Sequence, residues 1–311
     1  MKKCVGVDLG GTTVKLGIVG ANGAVFDKWE IPTRTEHNGL HIFPDIAASI
    51  REHMSEEELN SPDFAGVGMG VPGPVQEDGY VEKLVNLHMA DINVADLLSG
   101  LLGKVKVKAC NDANAAALGE LWMGAGKGYK SLVFITLGTG VGGGVVMNGK
   151  VIAGSRGMGG EIGHMTVNPE ESETCNCGNH GCLEQYASAT GIVNVMKRTL
   201  AEYDDPCCLR GLESFECKDV LDAAKAGDAL AARSVQTSMD YLALAMANIA
   251  VLVDPEVFVI GGGVSRAGQY LLDCIEPVYA RLTPLCKEKA DIAIASLMND
   301  AGLFGAAKLV L

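Results

Sequence analysis

The 311-residue chain is 48% hydrophobic, contains 40 glycines and carries a formal net charge of −13. A chain of this length has room for two lobes with separate cores, and glycines spread along it suit an α/β protein rich in tight turns. The acidic charge argues against a nucleic-acid surface, because binding to DNA requires a positive footprint. We therefore expect no nucleic-acid partner.

The N-terminal residues do not resemble a signal peptide, because Asp8 and the neighbouring glycines interrupt their apolar stretch. We find no run of about eighteen apolar residues and expect no membrane span. Ten cysteines in an unexported chain indicate reduced thiols and a metal site rather than a disulfide framework. Three of them lie within residues 175–182, and the other seven are predicted to be small core residues. The expected location is the cytoplasm.

The first third of the chain predicts hairpins followed by alternating strands and helices. Short apolar runs on either side of residues 10–13, with a further turn at residues 21–23, predict a meander of antiparallel strands. The later predicted elements are a helix over 44–54, a strand over 66–71, a strand over 105–109 and an alanine-rich helix over 113–122.

A similar pattern begins again near residue 131. The later predicted elements are strands over 131–137 and 141–147, helices over about 186–203, 218–227 and 228–252, a strand over 257–260 and a helical C-terminal segment over 302–311. The weak repeat predicts two similar lobes facing one another across a cleft. Glycine-rich turns also recur in unrelated α/β proteins, so the repeat alone does not establish this arrangement.

The turn after the first strand is a candidate phosphate-binding loop. The run DLGGTTVK lacks the spacing of a P-loop and precedes a strand rather than a helix. Gly10 and Gly11 let backbone N–H groups approach a polyphosphate, and Thr12 and Thr13 add hydroxyl donors. Asp8 is placed to hold Mg²⁺ through water. An ordinary hairpin with a Gly-Gly turn stays open as the alternative.

Two later glycine turns are candidates for the same ligand. Gly138-Thr139-Gly140 follows a predicted strand and is expected to bind phosphate from the second lobe. Gly261-Gly262-Gly263 follows another strand, next to which an adenosine has room to lie. Each turn is a weak signal by itself, whereas two phosphate turns with a candidate base between them in sequence are more specific.

Asp112 is that candidate base. Sugar hydroxyls are poor nucleophiles at neutral pH, and a positioned carboxylate that accepts the proton supports their attack on phosphorus. Asp112 lies where a predicted strand meets a predicted helix, and Asn111 beside it is suited to bind a neighbouring hydroxyl. From the residues alone, Asp112 fits equally well as the N-cap of the following helix.

Seven segments of the chain occur in the order found in a known bacterial family. They are DLGGTTVK, GVPGPV, NDANAAALGE, ITLGTGVGGG, GEIGH, CNCGNHGCLE and VIGGGVS. Together they resemble the ROK family of repressors and sugar kinases from residue 3 onward, and the run CNCGNHGCLEQYASATGI is most similar to glucokinases of Gram-positive type. The resemblance implies the actin-like (ribonuclease H-like) ATPase fold, with two α/β lobes around a central cleft.

The resemblance also implies an ATP- and Mg²⁺-dependent hexose kinase with glucose as substrate and Asp112 as catalytic base. The residues implied to bind sugar are Gly73, Asn111, Asp112, Glu161, His164 and Glu184. The residues implied to bind the nucleotide are Asp8, Gly10, Gly11, Thr12, Thr13, Lys15, Gly138, Thr139, Gly140, Gly261, Gly262 and Gly263. We expect a small lobe over residues 1–113 with about 303–311, a large lobe over 114–302, and a homodimer or homotetramer.

The candidate zinc site consists of His164, Cys175, Cys177 and Cys182. Three thiolates and one imidazole suit tetrahedral Zn²⁺, and the glycines between the ligands permit tight turns. The spacing matches the zinc loop of the ROK family. We expect a structural Zn²⁺ that positions Glu161 and Glu184 and does not activate water. Three free surface thiols are the alternative.

Other functions and other substrates compete with this assignment. ROK repressors carry a helix-turn-helix domain before the first phosphate turn, and only seven residues precede Asp8 here. A catalytically inactive sugar sensor would not require Asp112 and both phosphate turns. Among kinases, N-acetylglucosamine, N-acetylmannosamine, fructose and allose stay open as substrates, because His88-Met89 stand where many family glucokinases have a tryptophan. Polyphosphate is an alternative donor, although the sequence has no extended basic groove to hold it.

Overall fold

The computed structural model describes residues 1–311, apart from the side chain of Val85. The strands of the described chain are β1 (Lys3–Leu9), β2 (Thr13–Gly20), β3 (Val25–Pro32), β4 (Phe64–Val71), β5 (Tyr80–Leu84), β6 (Met89–Asn93), β7 (Val107–Asn111), β8 (Leu132–Leu137), β9 (Val141–Met147), β10 (Lys150–Val151), β11 (Val257–Gly261) and β12 (Asp291–Ile294). The helices are α1 (Glu36–Gly39), α2 (Ile42–His53), α3 (Glu56–Leu59), α4 (Val94–Leu101), α5 (Asp112–Met123), α6 (Glu184–Ala187), α7 (Ala189–Glu202), α8 (Cys217–Lys225), α9 (Ala229–Val253), α10 (Gln269–Leu282) and α11 (Ala301–Lys308).

The first sheet has the strand order β3-β2-β1-β4-β7. The predicted meander is confirmed, because β1, β2 and β3 pair antiparallel in sequence order. β4 and β7 then add in parallel to β1, and β4 is buried over most of its length, as expected for a strand covered on both faces. The parallel register brings the carboxyl ends of β1, β4 and β7 to one edge of the sheet.

The second sheet has the strand order β10-β9-β8-β11-β12. The strand predicted over residues 141–147 is confirmed with the same bounds, and the predicted strand over 131–137 begins one residue later. β8 and β11 are almost wholly buried and end at the glycine turns at 138–140 and 261–263. β10 and β12 were not predicted, and they extend the sheet at its two sides.

The chain divides into two compact units. Unit 1 comprises Met1–Phe134, Gly144–Gly160 and Ser296–Leu311, and unit 2 comprises Ile135–Gly143 and Glu161–Ala295. In unit 1, α11 packs against β1, β4 and α5. In unit 2, α7, α8 and α10 pack around α9. The lobe boundaries expected from the sequence, after residues 113 and 302, stay a prediction.

One helix, α9, is long and apolar enough to cross a bilayer by length and composition. However, 56% of its most apolar window is buried inside the protein. A core helix of a globular unit passes the same test of length and composition, because apolar residues are needed on every side that is packed. We therefore interpret α9 as the central helix of unit 2.

The prediction that the seven scattered cysteines are core residues is correct only for Cys4 and Cys110, which are buried. The other five are partly or fully exposed, and they are Cys207, Cys208, Cys217, Cys274 and Cys286. These cysteines lie in the α7–α8 connection, on α8 and α10, and in the loop after α10. Small size and weak polarity permit burial of cysteine, but the position of its element relative to the core decides the outcome.

Candidate active site

Two carboxylates of unit 1 lie at the same edge of the first sheet. Asp8 pairs with Gly70 in the register of β1 and β4, and Gly70 pairs with Cys110 in the register of β4 and β7. Asp112 follows at the start of α5, immediately after β7. The parallel strands therefore bring together two acidic residues that are about one hundred positions apart in sequence.

Asn111, and not Asp112, is the N-cap of α5. Its Oδ1 accepts a hydrogen bond of 3.1 Å from the backbone N–H of Asn114. Its Nδ2 donates to Gly73 O at 3.2 Å and to Asp112 Oδ1 at 2.9 Å. One buried amide therefore caps the helix, binds the loop at Gly73 and orients the carboxylate of Asp112, which leaves Asp112 free of the capping role.

Burial raises the pKa of both carboxyl groups. The pKa of Asp8 is about 6, because burial and the charges of Asp112 and Asp300 outweigh the opposing effect of Lys15. Burial also raises the pKa of Asp112, against hydrogen bonds from Ala113 and Asn111 that stabilise its charged form. Two acidic groups that are costly to ionise together form a site that attracts a cation or shares a proton.

The predicted phosphate turn is a tight turn between β1 and β2. Gly10 N donates to Thr13 O at 3.0 Å, and Thr33 Oγ1 donates to Gly10 O at 2.8 Å. Lys15 Nζ donates to Asn299 O at 3.1 Å. Gly11 and Thr12 are exposed at the tip, so their backbone groups are accessible to a ligand.

The four predicted zinc ligands come together in unit 2. The ligand atoms of His164, Cys175, Cys177 and Cys182 all lie within 4.8 Å of one another. Cys175 Sγ is 3.9 Å from His164 Nδ1, and Cys177 Sγ is 3.6 Å from Cys182 Sγ. These separations and this donor set fit a tetrahedral Zn²⁺ site.

The backbone of this loop is folded tightly around the cysteines. Cys175 N donates to Asn179 O at 2.7 Å, and Gly178 N donates to Cys175 O at 2.8 Å. Gly181 has φ of 69° and lies so close to Asn168 O that a side chain would collide with it. A non-glycine residue at position 181 would therefore move Cys182, its neighbour, away from the other ligands.

A polar network that was not recognised in the sequence also stabilises the loop. Glu171 accepts hydrogen bonds from Tyr186 Oη and from Arg198 at 2.6 Å, and Arg198 also binds Glu173 at 2.8 Å. Burial alone would raise the pKa of Glu171, but these donors and the backbone N–H of Glu173 hold it at about 2. Regular spacing does not reveal such a network, because its members are distributed over an irregular loop and two helices.

The two other predicted sugar ligands of unit 2, Glu161 and Glu184, flank the zinc loop in the sequence. Glu161 precedes a short 3₁₀-helix, Ile162–His164, and its carbonyl oxygen accepts from His164 N at 3.2 Å. Glu184 begins α6, and its Oε2 accepts from Val141 N at 2.9 Å. A Cβ at Gly140 would lie 2.3 Å from that same carboxylate oxygen, so a side chain there would displace the carboxylate of Glu184 from Val141 N.

Unit 2 also contains a cavity of about 980 Å³. The predicted nucleotide residues Gly138, Thr139 and Gly263 line it. Its charged side chains are Lys197, Lys218, Lys225 and Arg266 on the cationic side and Glu216 and Asp222 on the acidic side. The excess of cations in an acidic chain suits an anionic ligand.

The cationic residues of this cavity were missed in the sequence. Lys218, Asp222 and Lys225 recur at helical spacing on α8, a pattern that marks one face of a helix but not the ligand it faces. Phe215 lies in the same cavity wall and adds an apolar, aromatic surface. The glycine turns indicated where this cavity would lie. Its positive charge could not be predicted, because it depends on how α7 and α8 pack beside those turns.

The sequence profile of the ROK family matches residues 4–311. The chain belongs to the ROK family. It is 43% identical to the glucokinase of Halalkalibacterium halodurans over 311 residues, which cover 98% of this chain and 94% of that protein.

Two solved ROK structures resemble the whole chain. The ROK hexokinase from Thermus thermophilus superposes with a TM-score of 0.81 at 32% identity, covering 98% of this chain and 97% of that one. The ROK family glucokinase from Streptomyces griseus, in complex with glucose and AMPPNP, gives a TM-score of 0.74 at 32% identity, covering 99% and 98%. The predicted family and the predicted α/β, actin-like ATPase fold are thereby confirmed.

Proposed function

We propose that this ROK protein is an ATP-dependent glucokinase that transfers the γ-phosphoryl group to the 6-hydroxyl of glucose. The similarity to glucokinases over the full chain supports the reaction. The observation on which the proposed mechanism depends is the position of Asp112, a half-buried carboxylate oriented by the N-cap residue of its own helix.

Asp112 acts as the general base in this proposal. Its carboxylate accepts the proton of the sugar hydroxyl as the bond to phosphorus forms. Burial raises its pKa, which brings the group closer to the pH at which a base accepts and releases protons efficiently. Asn111 holds the carboxylate in place, and Gly73 O fixes the amide of Asn111 in turn.

The phosphates are proposed to bind at the turn of residues 10–13 and at Gly138-Thr139-Gly140. Accessible backbone N–H groups at the first turn and the cationic residues of the unit 2 cavity suit a polyphosphate. Lys15 and the turn at residues 261–263 complete the proposed nucleotide contacts. When bound, Mg²⁺ would neutralise phosphate charge, and Asp8 would hold it through water.

Zinc is proposed to be structural. His164, Cys175, Cys177 and Cys182 would hold it, and the charge of the ion would fix the loop without taking part in phosphoryl transfer. Because His164 Nδ1 faces Cys175 Sγ, its Nε2 is available to a sugar hydroxyl. Glu161 and Glu184 would bind further hydroxyls from the two ends of the loop.

A coupled assay of ADP release tests the proposal. With ATP and Mg²⁺, we expect glucose to be phosphorylated faster than N-acetylglucosamine, N-acetylmannosamine, fructose or allose. Asp112→Asn should lower kcat by about 10²- to 10⁴-fold, because the substituted amide cannot accept the proton. Its thermal unfolding midpoint should be at least as high as that of the wild type, since Asn111 and not Asp112 caps α5 and the substitution removes a carboxylate whose charged form is disfavoured by burial.

The control distinguishes loss of the base from loss of the sugar site. Equilibrium binding of glucose to Asp112→Asn should stay within about tenfold of the wild type, which corresponds to the loss of one hydrogen bond. If the wild type with bound zinc phosphorylates none of the hexoses but binds glucose, a sugar sensor replaces the kinase. If another hexose is the fastest substrate, the kinase stands and the assignment of glucose is wrong.

Cytoplasmic location and a homodimer or homotetramer complete the proposal. The free thiols and the zinc cluster suit a reducing compartment. The oligomeric state stays a prediction, which light scattering of the purified chain tests directly.

A further inference from the structure

A second cluster of metal-binding side chains lies away from the zinc loop in sequence. Cys207, Cys208 and Asp228 offer two Sγ atoms and one carboxylate oxygen, all within 4.8 Å of one another. Cys207 and Asp228 are half-buried and Cys208 is exposed, so the cluster is open to solvent on one side. We propose that Cys207, Cys208 and Asp228 bind a thiophilic divalent cation of the Zn²⁺ class.

The carboxylate of this cluster is held in a fixed orientation. Asp228 is the N-cap of α9, and its Oδ1 accepts from Ala231 N at 3.0 Å. Its Oδ2 accepts from Cys208 N at 2.7 Å, which ties the cysteine pair to the start of the helix. The two thiols also donate hydrogen bonds to this carboxylate. The lone pairs that accept those bonds become available to a metal when the thiols lose their protons.

The turn that carries the two thiols is also held without a metal. Arg210 N donates to Cys207 O at 3.1 Å. The guanidinium of Arg210 donates to the carbonyl oxygens of Leu200 at 3.0 Å and Asp205 at 3.1 Å, and also to that of Tyr203. The positive charge of Arg210 is thus engaged by backbone carbonyls, and the loop between α7 and α8 is fixed near its first residues.

The donor set determines which ion fits. Two thiolates favour Zn²⁺ or Cd²⁺ over Mg²⁺ and Ca²⁺, which prefer oxygen ligands. Three protein ligands with an exposed fourth position leave room for water, as in zinc sites that are not closed. Binding forms two metal–sulfur bonds and one metal–oxygen bond and releases the two thiol protons to solvent. Affinity should therefore fall as pH decreases.

Cadmium titration tests the proposal through the ultraviolet absorption of thiolate-to-metal charge transfer. The chain is kept reduced with a phosphine, loaded with Zn²⁺ and dialysed before Cd²⁺ is added. We expect Cys207→Ser/Cys208→Ser to bind one equivalent of Cd²⁺ less than the wild type. The matched control, Cys274→Ser/Cys286→Ser, removes two other half-buried cysteines and should bind as much as the wild type.

Asp228→Asn separates coordination from folding. Asparagine is as good an N-cap as aspartate, so α9 should keep its cap, and a thermal scan checks that loss of the acceptor for Cys208 N leaves the chain folded at the assay temperature. Loss of the anionic ligand should weaken the cysteine-dependent equivalent by at least about tenfold, by analogy with the loss of outer-shell partners. The proposal is overturned if Cys207→Ser/Cys208→Ser binds the same amount of Cd²⁺ as the wild type, or if Asp228→Asn leaves the affinity unchanged.

Discussion

The sheet edge of unit 1 and the zinc loop of unit 2 hold their polar side chains by different means. Asp8 lies near the end of the buried strand β1 and Asp112 directly follows β7, so the contacts that form the sheet also position the carboxylates. Residues 165–183 form turns and isolated bridges, and the ligands and the Glu171 network stabilise them. The arrangement of Asp8 and Asp112 should therefore persist until unit 1 unfolds. In contrast, the loop of residues 165–183 should lose its conformation when a single metal ligand is removed.

The largest effect on the KM for glucose is expected from Cys182→Ser, which removes a fully buried side chain of the proposed zinc site. Without the metal, His164 and Glu184 should lose their fixed positions. Hydrogen bonds to charged groups contribute about 1.5–3 kcal/mol each, so losing two should raise the KM for glucose at least about 100-fold. Elemental analysis for zinc and steady-state kinetics check this expectation.

Cys274→Ser is the matched control for that variant, since Cys274 is a half-buried cysteine on α10. It should keep both its zinc content and its KM. A Cys182→Ser protein that contains one equivalent of zinc less than the wild type but has the wild-type KM would refute the link between the metal and the sugar site.

An intermediate effect, on both stability and activity, is expected from a substitution at the edge of the first sheet, where burial disfavours the charged form of Asp8. Asp8→Asn removes a carboxylate whose pKa is raised from 3.8 to about 6. We expect the variant to be more stable than the wild type by about 3 kcal/mol at pH 8, because no charge is buried. It should also lose activity that depends on Mg²⁺, since a neutral amide binds the hydrated ion weakly.

The stability difference between Asp8→Asn and the wild type should depend on pH. The folded chain holds the proton of Asp8 more tightly than the unfolded chain does. Its contribution to stability is therefore complete below about pH 4 and is lost as the pH rises through about 6. The unfolding temperatures of Asp8→Asn and the wild type should coincide at pH 4, separate as the pH rises to about 6, and differ by a constant amount above that pH. A constant difference across this range would mean that charge burial is not the cause.

The smallest effect is expected from Glu171→Gln, which keeps an oxygen acceptor but removes the charge facing Arg198. Zinc should be released to a chromogenic chelator about tenfold faster, because partners outside the ligand set commonly contribute 10- to 100-fold in metal affinity. Glu173→Gln is the control, since its side chain is 64% exposed and such ion pairs contribute little. Equal release rates in both variants would assign the network no role in holding the loop.

The elements that follow simple periodicity were predictable from the sequence. The meander of β1 to β3, strand β9 and helices α7 to α9 occur near their predicted positions, because alternation and helical spacing report directly on burial. The grouping of His164, Cys175, Cys177 and Cys182 was predictable from the sequence as a set of candidate metal ligands, since cysteine and histidine at short spacing have few other uses in a reduced chain.

The remaining features depend on contacts between distant parts of the chain. The proximity of Asp8 to Asp112 results from the parallel register of β1, β4 and β7, which short-range spacing does not specify. The sequence also did not show which of Asn111 and Asp112 caps α5, because both residues are favourable N-caps. The cysteine cluster at Asp228 combines a loop with the start of α9, and the sequence offered no periodicity to connect them.

The contact between α11 and β1 affects how this protein is made. Cys4 Sγ donates to Ala307 O across 303 positions, and Leu303, Ala307 and Val310 complete a small apolar cluster with Cys4 and Val19. At a translation rate of about 5–20 residues per second, the ribosome needs roughly 15–60 s to reach α11 after β1 has emerged. During that interval one side of the nascent first sheet lacks its cover, so this edge is where a holding chaperone would act or aggregation would begin.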